Sequence, residues 1–343
     1  FFQWRASRAG AEKFHSAMLS HAGVASPVWQ EVVSLGRELA RLGSFEGASV
    51  EARVAVIFSW PNWWALEAPS KPANDLKIDE QLTWMYRPLY DNGITADFCR
   101  PDEPLERYHA VLVPSLYLLS EQEGANLVSF VERGGTAVIS FWSGIVDHND
   151  AVYLGPYGGP LRPLMGCDVL EVAPLPAGEA VEVEWEDGSR TNATFWADIA
   201  DEGNGRVLAR IVDGPWSGRP AVIETSYGQG RAYYLAVRLD AAGLARVYAG
   251  VPALSAGQQL VAPTPEYAQP GVERVVRVAD GQWYEFLINH SYEDRHVEID
   301  PGGFEMLSER DLEDKVTLPP MGVAIVLHAK EGAPLVRGLT GFG

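Results

Sequence analysis

Apolar residues at Val28, Val32, Leu35, Leu39 and Leu42 recur on one face of a helix, and Ser26-Pro27 supplies an N-cap and a first-turn proline. The pattern predicts an amphipathic helix ending near Gly43. Ahead of it Phe1, Phe2, Gln3, Trp4 and Arg5 read as a buried strand followed by a short loop. The segment is therefore one βα unit with no sheet of its own to join. Such a unit cannot bury its apolar face alone, which implies that the rest of a parallel β/α structure precedes Phe1.

A second pattern starts at Arg53. Val54 to Phe58 is a continuous apolar run suited to a parallel strand buried on both faces. A long loop follows, then a helix with Ile78, Leu82, Met85 and Leu89 on one face and Gly93 as its stop. Strands are expected near Thr95 to Phe98 and over Ala110 to Pro114. Ser120 with Glu123 is a capping-box signature for a helix through Leu127, Phe130 and Val131, ended by Gly134-Gly135 and followed by the strand TAVISFW. Alternating strands and helices, completed by strand-rich segments around 180 to 237, predict a doubly wound α/β domain. From about Val261 only strand-like runs remain, separated by turns such as Asp280-Gly281 and Pro301-Gly302-Gly303, and they predict a small antiparallel β-sandwich. The domain reading is 1–46, 47–255 and 256–330, with 331–343 as a tail.

Composition narrows the function classes. A net charge of -19 argues against a surface that tracks phosphates or anionic lipid, so neither nucleic acid nor a membrane is an expected partner. Two cysteines, Cys99 and Cys167, are too few for a disulfide framework or a four-thiolate zinc site. A reducing cytoplasm fits best, with secretion left open because the chain begins without Met. No apolar run is long enough for a spanning helix.

Several residues invite a chemical reading. Glu12 and His15, three apart on an expected helical turn, share one face and can reach one pocket, although from spacing alone a local hydrogen bond between them is the plainer account. Ser115 and Cys99 each follow a strand, but neither has the flanking glycines or the following helix that a nucleophile needs. Asp147, His148, Asn149 and Asp150 are consecutive, point in different directions and read as a solvated loop. Gly228-Gln229-Gly230 lacks the third glycine and the helix of a dinucleotide site and reads as a hairpin turn. Trp60, Trp63 and Trp64 lie in a loop with three prolines at the end of a parallel strand, where a covering partner is favoured over internal packing.

Three segments together resemble one family. FFQWRASRAGAEKFHSAM resembles the last barrel strand and following loop of the glycoside hydrolase family 42 β-galactosidases. FSWPNWWALE, VPSLYLLSEQ and GGTAVISFWSGIVDHND resemble their trimerisation domain, and INHSYEDRHVEI with LPPMGVAIVL resembles their C-terminal β-sandwich. The resemblance implies a (β/α)8 barrel of which residues 1–46 are the last strand and helix, then an α/β domain similar to class I glutamine amidotransferases without their cysteine, then the sandwich. It implies retaining hydrolysis of β-galactosides by two glutamates, both expected upstream of Phe1, so no catalytic residue is assigned here. Glu12 and His15 match the family's G-A-E-x-x-H segment and would bind galactose hydroxyls. Trp60, Trp63 and Trp64 would lie at the interface of a homotrimer and would close the neighbouring active site. The family's zinc site, a cysteine cluster, has no counterpart in this chain, and no cofactor is expected. The alternative, from a different class, is a non-catalytic assembly or carbohydrate-binding protein lacking the barrel.

Overall fold

A computed structural model describes residues 2–254, 271–279 and 281–329. Phe1, the change of character near Val261, Asp280 of its turn and the tail 331–343 lie outside the described residues. Two compact units are present, one within 52–254 and one joining 2–51 to 271–329.

In the second of these units the first helix, α1 (Pro27–Arg41), begins where the capping signal places it. The Ser26 hydroxyl accepts from the Trp29 N–H at 3.3 Å. None of its residues is buried, and Val28, Leu35 and Leu39 are exposed. The expected strand at Phe1 to Arg5 is not formed: Arg5 makes a single bridge with Leu19, and Phe2 and Trp4 are exposed. A parallel strand needs neighbours to take its backbone groups, and among the described residues Leu19 alone bridges this segment. A short strand, β1 (Ser49–Val50), follows α1.

The α/β unit runs β2 (Val54–Ile57), α2 (Trp60–Glu67), α3 (Ile78–Asp91), β3 (Ala96–Cys99), β4 (Ala110–Val113), α4 (Glu121–Glu132) and β5 (Thr136–Ser140). It continues with α5 (Arg162–Met165), β6 (Cys167–Pro174), β7 (Ala180–Trp185), β8 (Arg190–Glu202), β9 (Arg206–Ile211), β10 (Pro220–Tyr227), β11 (Gly230–Leu235), β12 (Val237–Leu239) and α6 (Ala241–Ala249). These strands form one sheet in the order β12-β8-β7-β9-β10-β11-β5-β4-β2-β3, with β6 beside β8. The block β11-β5-β4-β2-β3 is parallel.

Its strands are apolar at consecutive positions because each face meets a different layer. Val54, Val56, Ala110, Leu112 and Val138 pack with Ile78, Leu82, Met85 and Leu89 of α3. Ala55, Ile57, Val111, Val113, Ala137 and Ile139 pack with Leu127, Phe130 and Val131 of α4. Each fully buried Val, Ile or Leu contributes about 1.5–3 kcal/mol over its exposed state, which makes this double cover the main cohesion of the unit. The capping box at α4 is formed, with Ser120 N–H donating to Glu123 at 2.8 Å and Glu123 N–H to the Ser120 hydroxyl at 3.3 Å. Gly228-Gln229-Gly230 is the β10–β11 hairpin turn. A Cβ at Gly228, where φ is +57, would meet the Glu132 backbone at 2.5 Å, so glycine there answers to packing.

The remaining strands, β13 (Val272–Ala279), β14 (Gln282–Asn289), β15 (Arg295–Glu298), β16 (Phe304–Glu305), β17 (Arg310–Asp311), β18 (Lys315–Leu318) and β19 (Val323–Ala329), complete the first-described unit. They form an antiparallel sheet, β1-β13-β14-β19-β16-β17, and a two-stranded sheet, β15-β18. Leu287, Ala324 and Val326 of the larger sheet pack with Val297, Val316 and Leu318 of the smaller. The chain after α1 is stitched into this assembly, Ser49 pairing with Val278, and Leu42 and Ala48 packing with Tyr284, Phe304 and Leu327.

One carboxylate lies inside the α/β unit. Asp198 on β8 is buried and accepts from Trp196 Nε1 at 2.7 Å, from the Tyr234 hydroxyl, and from the Trp142 N–H at 3.4 Å. Burial pushes its carboxyl up to about 6, while these three donors pull it down. Because the folded value exceeds the unfolded one of 3.8, the folded state holds the extra proton between the two. Stability from this group is then full below about pH 4 and is lost as pH rises to about 6. Relative to Asp198→Asn, the chain should lose about 2–3 kcal/mol of unfolding free energy between those limits, measured by urea titration across pH. A pH-independent difference would exclude a buried proton at Asp198.

Candidate functional site

The surface at the carboxyl end of β2 is built by α2, a helix where aromatic and proline content predicts a loop. The Ser59 hydroxyl accepts from the Asn62 N–H at 3.3 Å, and Pro61 sits in the first turn, where a missing N–H costs nothing. Asn62 is buried and does two jobs: its Nδ2 donates to the Ser115 carbonyl at 3.2 Å, and its Oδ1 accepts from the Leu118 N–H at 3.0 Å. With Asn62 and Leu66 turned inward, the helical period turns Trp60 and Trp64 outward, 55% and 63% exposed. Their rings stack at 6.4 Å and 27°. Trp63 is half-buried, packs on the core and donates Nε1 to Glu67 at 2.8 Å.

The patch extends beyond the three tryptophans. Phe58 meets Trp60 edge-on at 5.0 Å and Phe98 at 6.2 Å, and Phe98, on edge strand β3, is itself exposed. Phe98 was not singled out from sequence; its signal was an outward aromatic in a strand that has a neighbour on one side only. Exposed aromatic rings grouped in this way make a candidate contact surface.

Outside the carboxyl ends of β2 and β4, where ligands usually sit in such sheets, the candidate nucleophiles are engaged within the protein. Ser115 holds a φ of +38, yet it is fully buried, with its Oγ donating to the Phe141 carbonyl at 3.2 Å and its N–H to Ser140 Oγ at 2.8 Å. The Asn62 amide lies across the same turn. Cys99 is buried and its thiol is pushed up to about 12, first by burial and then by its bond to Glu103. Neither is a nucleophile. Asp147 accepts from the Asn149 and Ala151 N–H groups at 2.8 and 3.1 Å, the internal bonding of a loop, which holds its carboxyl below the usual range. Among the described residues no three His, Cys, Asp or Glu side chains converge as metal ligands.

Glu12 and His15 lie in a loop whose neck is tied. Ala6 N–H donates to the Leu19 carbonyl at 3.1 Å, Leu19 N–H to Trp4 at 2.9 Å, and Met18 N–H to Gln3 at 3.0 Å. Trp4 also meets Trp29 of α1 edge-on at 5.6 Å. The expected helical turn is a single turn, with the His15 N–H on the Glu12 carbonyl at 3.0 Å. Both side chains are exposed, and among the described residues no hydrogen bond joins them, so the local-bond account of the pair is not what the structure contains. The turn carries an exposed carboxylate and an exposed imidazole three residues apart, an acceptor and a donor for a polyhydroxylated ligand.

Comparison with known proteins covers nearly the whole chain. The β-galactosidase trimerisation domain matches residues 52–254, the family's β-galactosidase domain matches 1–42 and its C-terminal domain matches 271–327. Beta-galactosidase BgaB of a Geobacillus species is 41% identical over 85% of this chain and 43% of its own length. Beta-galactosidase LacZ of Heyndrickxia coagulans is 36% identical over 95% of this chain and 48% of its own. The crystal structure of the β-galactosidase from Bacillus circulans sp. alkalophilus superposes with a TM-score of 0.88 at 32% identity, covering 96% of this chain and 49% of that one. The chain spans about half the length of the curated relatives it matches.

The bridge made by Asn62 can be measured. Asn62→Ala leaves the Leu118 N–H without a partner and the Ser115 carbonyl with the Tyr117 N–H alone, at 2.8 Å, and should cost about 1–3 kcal/mol in denaturant unfolding. Asn62→Asp should cost at least as much, because an acceptor then faces the Ser115 carbonyl; a loss within experimental error in both would show that α2 is held by its apolar contacts alone.

Proposed function

Because the chain belongs to the glycoside hydrolase family 42 β-galactosidases, we propose that it is the assembly-forming half of a retaining enzyme that hydrolyses terminal β-D-galactosides such as lactose or galacto-oligosaccharides. What carries this reading is that three successive family matches follow one another in order along the chain, with few residues between them. The acid/base and nucleophilic glutamates of the retaining mechanism belong, in this reading, to the barrel upstream of Phe1. They would stand about 5–5.5 Å apart, so that a glycosyl-enzyme forms and water then releases galactose. The chain by itself is inactive on this account.

Glu12 and His15 are assigned to the galactose subsite. A carboxylate accepts from two hydroxyls and an imidazole donates or accepts; once bound substrate covers these exposed groups, an analogue lacking a hydroxyl would leave them unpaired, which is how such binding discriminates. The exposure of both side chains on a loop with a tied neck supports the assignment. The aromatic patch is assigned to the contact between copies in a homotrimer, since Trp is the residue most enriched among energetic centres of interfaces. The enzyme works in the cytoplasm in this reading, and neither nucleic acid nor membrane takes part.

In the complete enzyme Glu12→Ala should lower kcat/KM for an aryl β-galactoside by about a hundredfold or more, roughly 3 kcal/mol, with the unfolding midpoint unchanged. Unchanged kinetics would remove Glu12 from the subsite. Trp60→Ala with Trp64→Ala alters the two exposed rings and spares the half-buried Trp63. It should shift sedimentation from trimer to monomer at concentrations where the parent stays assembled, and a persistent trimer would place the interface elsewhere.

A further inference from the structure

A cleft of about 630 Å³ opens between α3 and α6 in the α/β unit, away from the aromatic patch in sequence and from any role assigned above. Its apolar wall is made by Pro88, Leu244 and Ala245, and its rim carries Asp79, Glu80 and Asp91. The floor contains Arg238 of β12. That guanidinium lies over the ring of Phe195 at 5.4 Å and over that of Trp84 at 5.9 Å, and it is half-buried. Among the described residues no hydrogen bond or ion pair of its side chain is recorded. Arg87, on the same rim, is different: its Nε is bonded to Asp91 at 2.7 Å.

The position of Phe195 carries a backbone cost. Its φ is +72, an outlier for a bulky residue, and it sits where the β12–β8 register slips between Val237 and Arg238. Such a bulge re-aims a side chain, here bringing an aromatic ring beneath the guanidinium. Strain of this kind persists where surrounding structure over-determines it and clusters at ligand clamps. Aromatic rings on the faces of a guanidinium leave its N–H edge to seek acceptors.

We propose that this cleft binds a neutral saccharide, the C–H face of one ring resting on the Pro88–Leu244–Ala245 wall, the Arg238 edge donating to its hydroxyls and Glu80 accepting from them. An anion is the poorer fit, because three rim carboxylates and a chain charge of -19 oppose it. A purely apolar ligand would leave the guanidinium without an acceptor. The inference goes beyond the catalytic reading and stands whether or not the parent enzyme hydrolyses galactosides.

The test is saturation-transfer NMR on this chain with lactose, cellobiose and maltose, and with inorganic phosphate as the anionic competitor. At least one disaccharide should bind with a Kd of about millimolar order. Arg238→Ala should weaken it about tenfold or more, and Ala245→Trp, at an exposed position on the cleft mouth, should abolish it without disturbing the fold. Arg133→Ala, an exposed position at the end of α4 on the other face of the sheet, should leave it unchanged. Absence of binding by all three sugars, binding that survives Ala245→Trp, loss of binding in Arg133→Ala, or displacement of the sugar by phosphate would each overturn the proposal.

Discussion

Much of the α/β unit turns on one side-chain amide. β2 and β4 are parallel neighbours, and the segments that follow them are tied together by Asn62, which donates to the Ser115 carbonyl and accepts from the Leu118 N–H. Two consequences follow from the same pair of bonds. The turn at Ser115, at the carboxyl end of β4, is held against the first turn of α2, and α2 is fixed in the rotation that turns Trp60 and Trp64 outward. An inward amide and an outward pair of rings are thus two faces of one short helix.

Double-sided burial was legible in the chain because it leaves a mark in local composition. Val54 to Phe58, Ala110 to Pro114 and the run into Ser140 are apolar at successive positions, and only a strand covered on both faces requires that. Ser120 with Glu123 marked the start of α4 for a similar reason, since both partners of the capping box lie within one turn. Features that depend on distant chain were not legible. Residues 2–5 have the composition of a strand, but strand formation requires neighbours, and composition says nothing about whether they are present. In α2 the Ser59 cap and the first-turn Pro61 are start signals that only the structure brings out, because three tryptophans and a pair of later prolines give the same stretch the composition of a loop.

The candidate residues divide along the same line. Placing Glu12 and His15 on one turn needed only their spacing, and the turn exists, though shorter than a helix. Nothing local announced Phe98 as part of the aromatic patch, because its membership depends on β3 being an edge strand. Asp198 was equally silent: an Asp in a strand reads as a solvent-facing residue until Trp142, Trp196 and Tyr234, from three separate segments, enclose it. The rejection of Ser115 and Cys99 as nucleophiles rested on missing flanking residues, and the structure supplies the stronger physical reason, that both side chains are buried and engaged within the protein.

Charge sets the terms on which such a protein can associate. Copies carrying -19 each repel one another at separations within the Debye length, about 8 Å at physiological ionic strength. A contact surface must then be locally uncharged, so that desolvation is favourable and no carboxylate is buried without a partner. The patch of Phe58, Trp60, Trp64 and Phe98 meets that condition, with Glu67 held beside it by its bond to the Trp63 indole. The cleft at Arg238 follows the opposite logic: of its two arginines Arg87 is tied to Asp91, whereas Arg238 is held over aromatic rings, with backbone strain at Phe195 bringing one of them beneath it. For an acidic protein to take up neutral molecules long-range attraction is of little use, and flat rings with a few donors and acceptors fixed at short range would have to serve instead.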